Sequence, residues 1–214
     1  MSDSIADLRR DFMGEPLDEA AAHPDPIAQF QLWFKDAVDA VASEPNAMAL
    51  ATSTPDGRPS VRIVLLKGVD DRGFVFYTDY RSRKSTELDS NPHAALTFYW
   101  HELARQVRVE GTVERLPRAE SEAYFRSRPL ASRLSAWASH QSEPVASRAE
   151  MEARLREVRS RFEGDDVPLP PHWGGYLVAP HAFEFWQGRP GRFHDRLRYT
   201  LLPDGSWRIE RLMP

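Results

Sequence analysis

Three glycine-bearing turns constrain this chain more than any other feature. Pro55-Asp56-Gly57, Asp70-Asp71-Arg72-Gly73 and Pro203-Asp204-Gly205 each separate short runs rich in β-branched and aromatic residues. Turns of this kind supply the left-handed backbone that joins neighbouring antiparallel strands. The flanking runs 47–52, 60–67 and 74–78 therefore read as a meander, and 199–202 with 207–212 as a final hairpin. Further strands are expected at 94–100, 105–116, 173–178 and 182–186, and a barrel of roughly six to eight strands is expected from these runs. Short links between consecutive strands exclude the βαβ crossovers of a parallel sheet. No glycine-rich dinucleotide fingerprint follows any strand.

Helical spacing appears elsewhere. Asp25-Pro26 places a capping residue before a first-turn proline, and Ile27, Phe30, Phe34, Val38 and Val41 recur at helical intervals, so 26–43 is expected to be an amphipathic helix. A short helix is expected at 84–89, and helices broken near Pro129 and Pro144 across 118–163. Residues 1–24 read as a flexible N-terminal arm and 25–214 as one domain, without internal repeats. The expected fold class is mainly β with helices (α+β): an antiparallel barrel with helices packed outside.

The chain contains no Cys, which removes disulfides, thiolate catalysis and Cys-based metal sites and suits a reducing compartment. No run is long and apolar enough to span a membrane, and Met1-Ser2-Asp3-Ser4 does not open a secretory leader, so a cytoplasmic location is expected. A net charge of −4 argues against general nucleic-acid binding. Basic residues cluster at 81–84, 126–133 and 192–198, a pattern suited either to small phosphorylated ligands or to solvated surface. The seven His residues show no metal-ligand spacing, and neither a nucleophile elbow nor a P-loop is present. Enzymatic chemistry would then come from a bound cofactor.

Four constellations are candidates for binding it. Arg62-Ile63-Val64-Leu65-Leu66-Lys67 sets a cation at each end of an apolar strand; a bound phosphate or an exposed edge would each account for them. Their spacing turns the two cations to opposite faces unless a bulge intervenes. Tyr77-Thr78 ends a strand, and Ser82-Arg83-Lys84-Ser85 opens a helix whose N–H groups suit a phosphate, although such a start is also ordinary capping. Tyr124, Arg128 and Ser132 are spaced four apart and share a face if the helix survives Pro129. Finally, Trp186 leads to Arg192, His194 and Arg196, which project to one side in extended geometry and would repel without an anion to hold.

In this order and spacing, these segments resemble the pyridoxamine 5′-phosphate oxidase family. The resemblance is carried by 62–67, Phe76-Tyr77-Thr78, Ser82-Arg83-Lys84, Arg105-Gln106-Val107, 124–129, 136–142, Trp173-Gly174-Gly175, Glu184-Phe185-Trp186-Gln187-Gly188 and His194-Asp195-Arg196, and it covers about 26–214. It implies an FMN-binding split barrel working as a homodimer with two flavin sites at the subunit interface. It further implies that Arg62, Ile63, Val64, Leu65, Leu66, Lys67, Tyr77, Thr78, Arg83, Lys84, Gln106, Gln141, Ser142, Trp186 and Arg196 surround FMN. Lys67, Tyr124, Arg128 and Ser132 are implied to hold the substrate phosphate, and Arg192 and His194 to act at the pyridine ring and its reacting carbon. No metal is implied. The reaction implied is oxidation of pyridoxamine 5′-phosphate or pyridoxine 5′-phosphate to pyridoxal 5′-phosphate, with hydride passing to the flavin and oxygen reduced to hydrogen peroxide, a step of vitamin B6 metabolism.

Three positions depart from the family pattern. The arm element reads Arg9-Arg10-Asp11-Phe12, with Phe12 in place of a tyrosine and so without its hydroxyl; Ser135 replaces a glycine, and His140 a longer basic or amide residue. Two rival readings share part of this pattern: a split-barrel flavoprotein with another reaction, and a flavin or B6 carrier without turnover. The cation sets Lys67/Arg128 and Arg192/Arg196 weigh against the first by implying two phosphorylated ligands.

Overall fold

The computed structural model describes residues 4–5, 11–40, 44–162 and 164–214. Its strands are β1 (Ala47–Ser53), β2 (Pro59–Leu65), β3 (Gly68–Asp70), β4 (Gly73–Asp79), β5 (His93–Trp100), β6 (Arg105–Arg115), β7 (Trp173–Gln187), β8 (Asp195–Leu201) and β9 (Trp207–Arg211). Its helices are α1 (Pro26–Ala40), α2 (Arg83–Ser90), α3 (Arg118–Ser127), α4 (Leu130–Ala138) and α5 (Arg148–Arg161). Every strand pairing is antiparallel, as the turns require.

The sheet runs β2-β1-β5-β6-β7-β4-β3, and β8 adds to β7 and carries β9. This branching explains how the sheet curls and splits. Along its first half β7 pairs with β4, from Trp173 to Val178, and along its second half with β8, from Ala182 to Gln187. The two separate strands expected around Pro180 are thus one strand of 15 residues. Pro180 is accommodated where the register shifts between Glu110 and Gly111, a bulge that spares it a ladder N–H. Only glycine fits at 111, because a Cβ there would come within 2.4 Å of the Ala179 carbonyl.

Asp25 accepts the N–H of Ile27 at 3.0 Å and so starts α1. The buried stripe of this helix is Ile27, Phe30, Trp33 and Ala37 rather than the line through Phe34 and Val38. Edge-on packing of Trp33 against Phe185, 5.3 Å between centroids, fixes the roll of the helix and leaves Val38 51% exposed. Val41 lies outside the described residues. Phe30, Phe74, Phe98, Phe183 and Phe185 fill the barrel interior with Met48, Leu50 and Leu96. A second core of Phe125, Leu134, Val158, Val167, Leu169 and Trp173 holds α3 to α5 against the start of β7.

β2 is an edge strand, and its outer face is apolar: Val61 is 68% and Ile63 67% exposed. Strand register continues that face through Ala51 to Ala95 and through Ala49 to Thr97. Residues 12–19 lie beside the opposite end of the sheet. There the Gly14 N–H donates to the Gly188 carbonyl at 3.2 Å, the Leu17 N–H donates to Asp195, and Arg211 bridges Glu19 and Asp195. Among the described residues no helix is long and apolar enough to cross a membrane, and no cluster of three or more His, Asp or Glu side chains is arranged for a metal ion.

Candidate active site

Most of the expected site residues fall into two groups at opposite ends of β7. Tyr77 pairs with Gly175, whereas Gln106 pairs with Trp186, eleven residues further along the strand. That is about 35 Å of strand at the extended rise per residue.

At the first end, β4, the start of α2 and the 139–142 loop meet. Ser82 stands at the N-cap position of α2 without a side-chain capping bond, and the N–H of Arg83 in the first turn donates to Ser142 Oγ at 3.2 Å. Lys84 is buried, and its ammonium donates to Thr78 Oγ1 at 3.0 Å, Gln141 Oε1 at 2.5 Å and Ser82 Oγ at 3.3 Å. All three acceptors are neutral. Burial, and then the charge of nearby Arg62, pull the Lys84 pKa down to about 8. A desolvated cation with neutral partners at a helix N-terminus is an arrangement for an anion. Arg62 stands behind this cradle, donating to Thr52 Oγ1 at 2.6 Å and Ser60 Oγ at 2.5 Å; burial lowers its pKa, while Glu87 opposes that shift.

Beside the cradle lies an aromatic set. Tyr77 stacks on Tyr124 at 3.9 Å and on Trp173 at 5.5 Å, and burial raises the pKa of both tyrosines. Pro129 does break the helix. α3 stops at Ser127, Arg128 is extended, and α4 restarts at Leu130. Tyr124, Arg128 and Ser132 consequently do not line one continuous helix face, yet they still gather around Trp173. The Arg128 guanidinium lies 4.6 Å from that ring, and Arg128, Ser132, Gln141 and Trp173 line one cavity of about 210 Å³. The Arg128 NH1 nitrogen is buried without a hydrogen-bond partner, and burial lowers the pKa of the group. Buried guanidinium nitrogens are normally paired, so this one marks a second place for an anion.

Lys67 is exposed at the end of β2 and lines a separate recess of about 380 Å³ with Phe34, Asn46 and Val69. Of its neighbours, Ile63 is exposed, Val64 and Leu65 are half-buried, and Leu66 is buried, with its N–H donating to the Asn46 carbonyl.

The second end carries Gln106, Trp186, Arg192, His194 and Arg196. The expected extended run from Arg192 is replaced by a single 3-10 turn at Pro190–Arg192, in which Gly191 and Arg192 both have left-handed backbone, φ 62° and 61°. Proline at 190 starts the turn, and β8 begins only at Asp195. Arg192 and His194 thus project from a tight turn, not from one strand face. Left-handed backbone at a non-glycine residue is strained and is concentrated at functional sites. The His194 ring lies 4.7 Å from Trp186, and Phe12 of the arm meets both rings edge-on at 5.5 and 5.7 Å. Arg9 and Arg10 lie outside the described residues. His194 Nδ1 accepts the Arg189 N–H at 3.0 Å, so the neutral ring carries its proton on Nε2. Burial, and then Arg192, lower the His194 pKa. Arg196 is held by Glu184, with two contacts of 3.0 Å.

Two supporting carboxylates, Glu184 and Glu87, were not among the expected site residues. For Glu87 a signal existed, since it stands four residues after Arg83 on one helix face.

A branched antiparallel sheet with a cation-lined cavity at one end of its longest strand and a cation-bearing turn at the other defines a split-barrel protein. Residues 34–162 match the family described as pyridoxamine 5′-phosphate oxidase, and 173–214 the pyridoxine 5′-phosphate oxidase C-terminal dimerisation region. The chain is 58% identical over 211 residues to pyridoxine/pyridoxamine 5′-phosphate oxidase 1 of Ralstonia nicotianae, covering 99% of both chains. It is 60% identical over 210 residues to pyridoxine/pyridoxamine 5′-phosphate oxidase of Rubrobacter xylanophilus, covering 98% of this chain and 96% of the relative. Among solved structures, PhzG from Burkholderia lata in complex with tetrahydrophenazine-1-carboxylic acid superposes with a TM-score of 0.87 at 32% identity, covering 94% of this chain and 99% of the other. The chain belongs to the pyridoxamine 5′-phosphate oxidase family.

Proposed function

We propose that the chain is a homodimeric, FMN-dependent oxidase converting pyridoxamine 5′-phosphate or pyridoxine 5′-phosphate to pyridoxal 5′-phosphate, with oxygen as the final acceptor. The relatives' names give the substrates, and the family supports FMN as the cofactor. The observation that carries the reading is a pair of cations with no carboxylate partner among the described residues, buried Lys84 and half-buried Arg128, both beside Gln141. Two anion sites so close together suit a flavin phosphate and a substrate phosphate.

The residues at the first end fit the flavin phosphate. Lys84, Arg83, Thr78, Gln141 and Ser142 would hold it, and bound FMN would supply the hydride acceptor. Arg128, Tyr124 and Ser132 would hold the substrate phosphate in the adjoining cavity. Gln106, Trp186, Arg192, His194 and Arg196 lie too far along β7 to reach the same ligands within one chain. A two-fold dimer brings the second end of one chain to the first end of its partner. The apolar outer face of β2 and β1 supports such an interface, as does the match to a dimerisation region.

In this assembly Arg192 sets the position of the reacting carbon and lends positive charge beside it. His194 acts as a hydrogen-bond donor through Nε2, because Nδ1 already accepts the Arg189 N–H. Phe12 packs edge-on against the rings of Trp186 and His194 and shields them on that side.

The test is to record the flavin released on denaturation and then supply pyridoxamine 5′-phosphate in air. FMN release with matched formation of pyridoxal 5′-phosphate and hydrogen peroxide is expected. A protein that binds FMN but yields neither product would be a carrier, and the proposed reaction would be wrong.

A further inference from the structure

Behind the cradle that holds Lys84, one carboxylate organises the other two cations. Glu87 on α2 has a side chain only 5% exposed. Its Oε2 accepts from Thr52 Oγ1 of β1 at 2.5 Å and from Ser60 Oγ of β2 at 2.6 Å. Its Oε1 accepts from Arg83 Nε at 2.9 Å, and the Arg62 guanidinium lies 3.5 Å from Oε2. Arg62 in turn donates to the same two hydroxyls, so Thr52, Ser60, Arg62 and Glu87 form one closed network. Burial alone would raise the Glu87 carboxyl, but hydrogen bonds from Ser60, Thr52 and Arg83 hold it at about 2.

A buried anion next to a phosphate site needs a reason, since its charge opposes the ligand. Two effects supply one. First, Arg62, Arg83 and Lys84 would repel one another when no ligand is bound, and a carboxylate among them relieves that repulsion. Three cations and one carboxylate leave two positive charges, which match a phosphate carrying about two negative charges near neutral pH. Second, bonding through Nε leaves the terminal nitrogens of Arg83 without a hydrogen bond among the described residues, and therefore available to a ligand.

We propose that Glu87 is a positioning residue for the flavin phosphate, holding Arg62 and Arg83 in place and so setting the preference for FMN over riboflavin. This rests on the FMN reading above. The two ligands share a ring system and differ in the phosphate, so their affinity ratio isolates the cradle from general folding effects.

The experiment titrates apo-protein with FMN and, separately, with riboflavin, following flavin fluorescence, for wild type, Glu87→Ala, Glu87→Gln and Glu87→Asp. Wild type is expected to bind FMN far more tightly than riboflavin. Glu87→Ala is expected to lose about tenfold or more in FMN affinity, with riboflavin affinity unchanged. Glu87→Gln removes the charge and keeps one acceptor oxygen, which cannot serve both Arg83 and the two hydroxyls, so it should recover only a small part of the loss. Glu87→Asp keeps the charge but withdraws it by one methylene; it should behave like the alanine variant and serves if that variant does not fold. Equal losses for both flavins would reduce Glu87 to a structural role and overturn the proposal. So would an unchanged ratio, or tighter FMN binding by Glu87→Ala. Wild type that binds FMN no better than riboflavin would instead overturn the FMN reading, and this proposal with it.

Discussion

The Arg128 guanidinium stacks 4.6 Å from the Trp173 ring, with its NH1 nitrogen buried and unpaired. The ring thus covers one side of the cation, while NH1 stays without a hydrogen-bond partner. Charge-assisted hydrogen bonds contribute about 1.5–3 kcal/mol, so Arg128→Ala should lower kcat/KM for pyridoxamine 5′-phosphate by about one to two decades, mainly through KM. Activity on dephosphorylated pyridoxamine should change little. Steady-state kinetics on both substrates checks this, and a retained preference for the phosphorylated substrate would remove Arg128 from the phosphate site.

Lys84 gives a pH dependence with a definite sign. Its pKa falls from the ordinary 10.5 to about 8 in the folded chain without ligand. Charged Lys84 therefore costs stability in the apo-protein, and that cost is relieved as pH rises above about 8, where the folded chain loses its proton before the unfolded chain does. A phosphate favours the charged form. FMN affinity of the apo-protein should accordingly be level between about pH 7 and 8, where the phosphate is already a dianion, and fall by up to about tenfold per pH unit above that. Lys84→Arg should flatten that slope. FMN titrations across the range decide the matter, and affinity that stays level through pH 9 in wild type would show that Lys84 does not pair with the phosphate.

The exposed edge of the sheet predicts assembly. Val61 projects from β2 into solvent at 68% exposure, with Ile63 beside it on the same face. Burying a valine side chain contributes about 1.5–3 kcal/mol, and a dimer buries two copies. Val61→Arg should give a monomer by light scattering. Because Gln106, Trp186 and Arg196 would then be missing from each site, that monomer should also lose FMN. A monomeric Val61→Arg that keeps its flavin would contradict an interfacial site.

Local chemistry made much of the fold legible. Asp-Gly and Arg-Gly turns gave the antiparallel meander, and Pro129 marked where α3 ends and α4 restarts. Long-range pairing was not legible in the same way. Pro180 looked like a strand boundary because its missing N–H usually ends a ladder, and only the bulge at Gly111, far earlier in the chain, lets β7 run through it. The left-handed backbone at Arg192 was hidden for a related reason: nothing in the residue type announces it, and the turn at Pro190 imposes it. Of the candidate site, the cations and aromatic rings were proposed from motif order. Their grouping into two ends of one strand could not be, since it depends on the register between β6 and β7.

The separation of the two groups along β7 can be measured directly. Arg128 belongs to one end of β7 and Arg192 to the other, so Arg128→Ala and Arg192→Ala homodimers should each be impaired at both sites. Arg192→Ala should act chiefly on kcat while keeping the preference for phosphate. In a purified heterodimer with one lesion in each chain, one composite site carries both lesions and the other carries none. Such a heterodimer should turn over pyridoxamine 5′-phosphate at about half the wild-type rate per dimer. If it is no more active than the two parent variants, each site is built within a single chain and the composite arrangement is wrong.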